Sequence, residues 1–546
     1  MVDRINRKDF LIASFICLVS IIIVVIGNGQ YGISWDEADP NFPTIIKQAN
    51  WIKSVLTHSE SYKYLFSDQG IYDYWFTKSD HPSLSRSIAA VSYLLFKDSM
   101  GEIRSIRIPS AIYFSLIASL LYLWGTKVWG RVAGWAAVLS FFMMPRLFGH
   151  GHLAGLDIAI TFWWVAVAMA FSWREFTWRW SIVIAVLYVG ALATKLHSLF
   201  LPFPLLIYIF IPPTIFSKGS NNNIPPTPLV KGGKMWWKPF LLMGIIGSIG
   251  YLILQPWLWH HTFSRLFVRF FHYSDKATSN PIPLWYWGHI YSNDTPWHYP
   301  IVMVMITVPA AILVCFLWYT IRTLKNPKKE HKAVFVLLNF ITPLLIITLP
   351  LAQGYDGIRL FLPAFPFIAL LAGAGFADIC RVIPNIIWKK RNTFHKQMVF
   401  RIVLFALVFL PIAWNLFSIS PFHLAYYNEL IGGIPGAKKT GMETVYWCET
   451  LTPEFLEEIN QRLFPGSRVK TLAMPLEPLL YYQKLGLLRK DITIGGKPPY
   501  DFHILQARQG MFGKQGWYFY NKKPISEVSI YSVPLIQLHG RRIADR

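Results

Sequence analysis

Apolar runs of near-spanning length recur along the chain, at about 10–27, 108–124, 132–145, 158–173, 180–194, 199–216, 239–259, 300–320, 333–350, 360–377 and 402–419. A bilayer core takes roughly 20 residues of helix, with a range of about 17–25. The pattern therefore predicts about eleven transmembrane helices. The runs 132–145 and 180–194 fall short of that length and also fit a re-entrant pair, which leaves the parity of the others unchanged. The first run, Phe10 to Gly27, follows Arg4, Arg7 and Lys8 as the core of a signal peptide would. It is long for that role and no small-residue cleavage site follows, so it reads as a retained first helix.

Loop charge sets the expected orientation. With the N-terminus inside, one set of gaps holds Lys127 and Arg131, Arg174 and Arg179, Lys218 to Lys238, Arg322 to Lys332, and Arg381 to Arg401. The short gaps on the other side carry one cation each: Arg146, Lys195 and Arg359. By the positive-inside rule this predicts a bacterial inner-membrane protein with residues 421–546 outside the cytoplasm, in the periplasm. Two outer loops are long, 28–107 and 260–299. The first contains two short amphipathic segments, Asn50 to Leu56 and Leu84 to Phe96, which fit helices lying in the interface. Segment 217–238 has the composition of a flexible cytoplasmic linker.

The tail breaks the pattern. It offers helix-like pieces at Pro453–Leu463, opened by Thr452 as a cap, and at Glu477–Leu485. Strand-like pieces lie at Arg468–Ala473, Asp501–Ala507 and Glu527–Pro534. The expected fold is mainly α, a polytopic helical bundle over 1–420 with a small C-terminal α/β domain over 421–546. No catalytic motif is visible in the tail.

Composition agrees. Hydrophobic residues make up 53% and charged residues only 15%, against roughly a quarter charged in soluble proteins. The net charge of +23 is spread over short inter-helix segments rather than gathered in one patch, which argues against nucleic acid as a partner. Of four cysteines, Cys17 and Cys315 lie inside apolar runs, Cys380 at the end of one, and Cys448 alone; no disulfide framework or CxxC metal pair can be drawn.

The candidate chemistry is acidic and faces outward. Trp35-Asp36-Glu37-Ala38-Asp39 follows the first helix within ten residues. Such carboxylates beside a membrane are costly unless solvated, paired or cation-bound; the plain alternative is an acidic first turn favoured by a helix dipole. Asp157 opens the fourth apolar run, either as a helix cap or as a functional acid beside Arg146, His150 and His152. Asp80-His81-Pro82 closes the first loop, and its two adjacent metal-capable residues do not by themselves define a site. Lys195 and Arg359 stand where outer-face cations are scarce. Arg359 has a local partner in Asp356, yet both cations suit a phosphate-bearing lipid.

Together these features resemble the GT-C glycosyltransferases, specifically the bacterial branch of glycosyltransferase family 39, which groups with the protein O-mannosyltransferases and the lipid A aminoarabinose transferases. The resemblance covers about residues 10–420 and rests on the loop-one Asp36-Glu37, the Asp80-His81-Pro82 step, Asp157, and Arg359-Leu360-Phe361-Leu362-Pro363-Ala364-Phe365-Pro366-Phe367. The segment Pro421 to Gly433 is similar to the periplasmic extension of family members. The resemblance implies a polyprenyl-phosphate-linked sugar as donor, a glycan, lipid or protein hydroxyl as acceptor, and inversion at the anomeric carbon. Asp36, Glu37 and Asp157 would be catalytic, Asp36 as the base and Asp157 as a second important acid; Arg359, Lys195 and Arg146 would be the phosphate partners, and His150 and His152 would lie in the loop that meets acceptor or donor. Asp80 and His81 would stand at a step where some relatives hold a divalent metal and others need none. No nucleotide cofactor is implied, and no Gly-rich phosphate loop is present.

Two other classes fit a polytopic chain with membrane-embedded charge: a lipid or glycan transporter or flippase, and a polymerase or ligase of another fold. A transporter would show repeated halves and acids at mid-membrane. This chain has no internal repeat, and its acids cluster at one face.

Overall fold

The computed structural model describes residues 5–77, 81–173, 176–210, 235–279, 281–292, 294–349, 352, 354–388 and 394–540. It is mainly helical, and helix occurs at each of the eleven apolar stretches. Among the described residues four helices are long and apolar enough to cross a bilayer unaided: Arg7–Gly27, Glu102–Trp129, Arg359–Ile387 and His395–Ser418. Arg131–Phe142 and Pro145–His152 form a pair bent by 70°, a broken span or a re-entrant loop, while the other short run, 180–194, holds the single helix Trp178–Leu192. Tyr299–Thr307 and Ala310–Lys325 are likewise two helices. Pro309 stands between them and has no N–H to continue the ladder. The stretch 217–238 falls mostly outside the described residues.

The first helix shows how the bundle sorts its faces. Asn6 caps it, accepting from the backbone N–H of Lys8 and Asp9, while the Asp9 carboxylate accepts from Asn6 N. Ala13, Ile16, Ser20 and Val24, one per turn, face the bundle, where the Ser119 hydroxyl donates to Ala13 O at 2.8 Å. Phe10, Leu11, Phe15, Leu18, Ile22 and Ile26 remain exposed. In a bilayer that outer face is a lipid contact, and only the inner stripe needs protein partners.

The first outer loop folds into short helices at Phe42–Thr57, Tyr62–Leu65, Asp68–Trp75 and Leu84–Met100. Leu84–Met100 exposes Ile88, Val91 and Leu95 while burying Arg86, Ala89, Ala90 and Ser92. An exposed apolar face of this kind is what the expected interfacial placement calls for. The second outer loop carries a helix at Thr262–Ser279 and a hairpin of β1 (Leu284–Tyr286) with β2 (His289–Tyr291).

The tail forms a mixed five-stranded sheet of β3 (Arg468–Leu472), β4 (Thr493–Ile494), β5 (Phe502–Gln506), β6 (Ser526–Ile530) and β7 (Val533–Gly540), in the order β4-β3-β5-β7-β6. β3 pairs in parallel with β4 and β5; β7 pairs antiparallel with β5 and β6. Helices Pro453–Arg462, capped by Thr452, and Glu477–Lys484 lie where the sequence put them. The expected strand at Glu527–Pro534 is instead a hairpin: Tyr531 and Ser532 take positive φ of 49° and 63° and turn the chain into β7. A β-branched and aromatic run hid that turn because it contains no Gly, Asn or Asp.

The tail does not close its core alone. Ile33, Ala38, Phe42 and Ile45 of the first loop pack in one cluster with Leu451, Phe455, Leu479, Tyr482 and Phe502 of the tail. The Tyr482 hydroxyl accepts from Ile33 N at 2.8 Å and donates to Leu451 O at 3.1 Å. Gly32 N and Trp35 N donate to the carbonyls of Glu449 and Trp447 at 3.0 and 2.8 Å. The loop that carries Asp36 is thus tied by its backbone to the segment Trp447–Leu451 of the tail.

Candidate active site

Glu37 and Arg107 set the position of Asp36. Both side chains are fully buried. Arg107 donates to Glu37 Oε1 and Oε2 at 2.8 and 2.7 Å, and its remaining donors reach the carbonyls of Asn28, Tyr31 and Gly32. Glu37 also accepts from Ser34 N and Ala154 N at 2.9 and 2.7 Å. The bend after the first helix is therefore pinned from both sides by one buried ion pair. Glu37 faces Arg107, while its neighbour Asp36 points the other way.

Asp36 meets Arg359, the hub of the site. Arg359 Nη2 contacts Asp36 Oδ2, its Nε lies 2.9 Å from Asp157 Oδ2 and its Nη1 2.8 Å from Asp356 Oδ2. Lys195 Nζ donates to Asp157 Oδ1 at 2.6 Å. Asp36, Asp157, Lys195 and Arg359, from four separate stretches of sequence, thus converge on one cluster. Asp157 is not a helix cap: Gly155 occupies the cap position of Leu156–Ser172, and both carboxylate oxygens of Asp157 are spent on cations. The three carboxylates differ in exposure, with Asp157 at 2%, Asp356 at 5% and Asp36 at 31%. Burial raises the carboxyl of Asp36 above its usual range, opposed by Arg359 and helped by Asp356 and Asp157.

The tail supplies the wall behind this cluster, which sequence reading missed. The Trp447 ring lies beneath the Arg359 guanidinium, 4.5 Å from centroid to Cζ, with His150 at 5.2 Å on another side. A Cβ on Gly155 would stand 2.8 Å from Trp447 Cη2, so only glycine lets the indole approach Asp157 this closely. Arg508 donates to Asp356 Oδ1 at 2.8 Å and to Tyr446 O at 2.6 Å. Glu449 is 1% exposed; burial lifts its carboxyl to about 7, opposed by the backbone N–H groups of Glu449 and Trp447. Cys448, between Trp447 and Glu449, adopts φ of +70°, a conformation that costs a non-glycine residue roughly 1–2 kcal/mol. The only sequence signal was the density of aromatic and acidic residues in Glu443–Thr452, which has neither a 2- nor a 3.6-residue period.

The remaining candidates lie around this centre. Arg146 is buried behind the Asp356–Arg359 turn, donating to Tyr426 O at 2.8 Å, with the rings of Tyr427 and Tyr446 at 4.4 and 5.6 Å. Its contacts are aromatic and backbone, and none is with Asp36, Asp157 or Lys195. His150 faces Trp447, whereas His152 is stacked on Tyr31 4.6 Å away and bonded to Phe148 O. The carbonyl of His81 accepts from Arg86 at 2.6 Å, and Asp80 lies outside the described residues. Among the described residues no group of three or more His, Cys, Asp or Glu stands close enough to hold a metal ion, and the three carboxylates of the cluster are taken up by Arg359.

Residues 80–222 match the protein family described as "Dolichyl-phosphate-mannose-protein mannosyltransferase". No curated protein matches the chain. Among solved structures, ArnT from Cupriavidus metallidurans superposes in its apo state with a TM-score of 0.50 at 11% identity, and bound to undecaprenyl phosphate with a TM-score of 0.50 at 12% identity. Each covers 96% of this chain and 97% of that one. At this identity the likeness is one of fold. An oligosaccharyltransferase from Archaeoglobus fulgidus matches at 11% identity and a TM-score of 0.44, over 88% of this chain and 64% of that one, too loosely to add to the case.

Proposed function

We propose that this chain, a membrane glycosyltransferase of the GT-C kind that uses a lipid-phosphate sugar donor, moves the sugar to an acceptor hydroxyl at the outer face of the inner membrane by a single inverting displacement, with Asp36 as general base. The observation that carries this reading is the convergence of Asp36, Asp157, Lys195 and Arg359, with Asp36 the most exposed of the three carboxylates around one arginine. The acceptor oxygen attacks the anomeric carbon and its proton passes to Asp36. The bond from that carbon to the phosphate oxygen breaks, and the electron pair stays on the lipid phosphate. Arg359 and Lys195 offset the charge that builds on the departing phosphate. Asp157, buried between those two cations, fixes both. Glu37 acts through Arg107 as a positioning residue for the loop rather than as a proton carrier.

The bundle over 1–420 serves as the transferase module. The tail, 421–546, is its outer domain and closes the site from the periplasmic side. Loop charge supports that orientation, with single cations at Arg146, Lys195 and Arg359 facing outward. Purified protein given radiolabelled polyprenyl-phosphate sugar and a hydroxyl acceptor should transfer label, and Asp36→Asn should lower turnover by about 10²–10⁴-fold. Undiminished turnover in that variant would remove Asp36 from the role.

A further inference from the structure

We infer that the place on Arg359 now held by the Asp36 carboxylate is the seat of the donor's phosphate, so that donor arrival is itself what frees the base. The inference rests on the reading of Asp36 as base and goes one step beyond it. Every guanidinium nitrogen of Arg359 is spent on a carboxylate: Nε on Asp157, Nη1 on Asp356 and Nη2 on Asp36. Those contacts use three of its five N–H donors, one on every nitrogen; a phosphate seated by a two-bond fork therefore shares its nitrogens with at least one of the three carboxylates, and repulsion between the anions favours exchange of that one.

The structure singles out which one leaves. Asp157 is buried and has a second cation, Lys195, at 2.6 Å. Asp356 is buried and has Arg508 at 2.8 Å. Asp36 is 31% exposed and, among the described residues, has no second ion-pair partner. Removing Asp157 or Asp356 from Arg359 would strain a buried pair, whereas Asp36 can turn toward solvent. Arg359 stays in place throughout, because the Trp447 ring backs it and two carboxylates remain on it.

In the empty site Asp36, Asp157 and Asp356 face Arg359, Lys195 and Arg508, with Glu443 3.8 Å from Arg508, so the cluster holds no spare cation for an added anion. The singly charged sugar phosphodiester replaces one anion on Arg359 and leaves Asp36 beside it without a counter-ion. The groups then facing Asp36 are Asp157, Asp356, the donor phosphate and the Cys448 thiol, with Arg359 and Lys195 engaged elsewhere. A carboxylate released in this way is a stronger proton acceptor than one held by a guanidinium. The base is therefore quenched when the site is empty and becomes competent once the donor is seated.

The test is the affinity of the full chain for a polyprenyl monophosphate, with an uncharged polyprenol of the same length as control. Asp36→Asn removes the competing anion and should bind the phosphate lipid roughly two- to fivefold more tightly, the factor set by a partly exposed ion pair, with polyprenol affinity unchanged. Asp36→Ala should move the same way, which guards against a local misfold in either variant. Equal or weaker phosphate affinity in both variants overturns the exchange, and so does an equal gain for both lipids, which would mean a wider pocket. Loss of turnover without an affinity gain sinks the exchange alone; turnover that survives Asp36→Asn sinks the base assignment and leaves the exchange to the binding data.

Discussion

Replacing Glu37 with Gln separates positioning from proton transfer. The Glu37 carboxylate accepts four hydrogen bonds, two from Arg107 and one each from Ser34 N and Ala154 N, with both partners of the ion pair fully buried. An amide accepts at one oxygen only. It would turn its own N–H₂ toward two of those donors and leave the guanidinium without a counter-charge. Each orphaned buried donor costs about 1–3 kcal/mol, and breaking a buried ion pair from one side costs about 3–5 kcal/mol in total. The expected result is a clearly lower melting temperature in detergent, with turnover falling because Asp36 is displaced. Arg107→Met combined with Glu37→Leu should recover part of the stability, since an apolar pair leaves no uncompensated charge. A variant Glu37→Gln that melts like the parent yet has lost all turnover would refute this account and make Glu37 a proton carrier.

Three further outcomes follow from the site. Trp447→Ala should lower kcat more than Trp447→Phe, since a desolvated cation–π contact contributes about 2 kcal/mol and Phe retains part of it; equal losses would mean that the ring acts only as filler. Glu449 has its carboxyl lifted to about 7 from an ordinary 4.5, so the folded chain holds a proton that the unfolded chain has released. That group's contribution to stability therefore declines as pH rises from about 4.5 to about 7 and is flat above; Glu449→Gln should melt higher than the parent at alkaline pH, and a variant with the parent's full pH slope would contradict this. A reporter fused after Arg546 should give signal on the periplasmic side, and cytoplasmic signal would break the orientation drawn from loop charge.

Much of this architecture was legible because bilayers impose a simple length rule. Helix stands at each apolar run, although among the described residues only four helices reach spanning length. Asp36, Asp157, Lys195 and Arg359 stood out as charges at the edges of apolar runs, where each needs a reason to be present. What stayed hidden was set by tertiary packing. Nothing in the local sequence marks Trp447 as the platform under Arg359, because that role depends on Gly155 leaving room from another chain segment. The pairing of Glu37 with Arg107 was equally invisible: one residue sits in a loop and the other in a helix, 70 positions apart. Both acids of Asp36-Glu37 read alike in sequence, and only the buried arginine tells them apart.

The hydrogen bond joining Ile33 and Tyr482 spans 449 positions. During biosynthesis the segment bearing the proposed base emerges early and then waits, unsupported, until nearly all the rest has been made. A nascent chain paused anywhere before Trp447 holds its acids but lacks the platform that orders them. Unfinished copies would thus be silent toward a costly lipid-linked sugar, and activity would appear only once the last strands have docked.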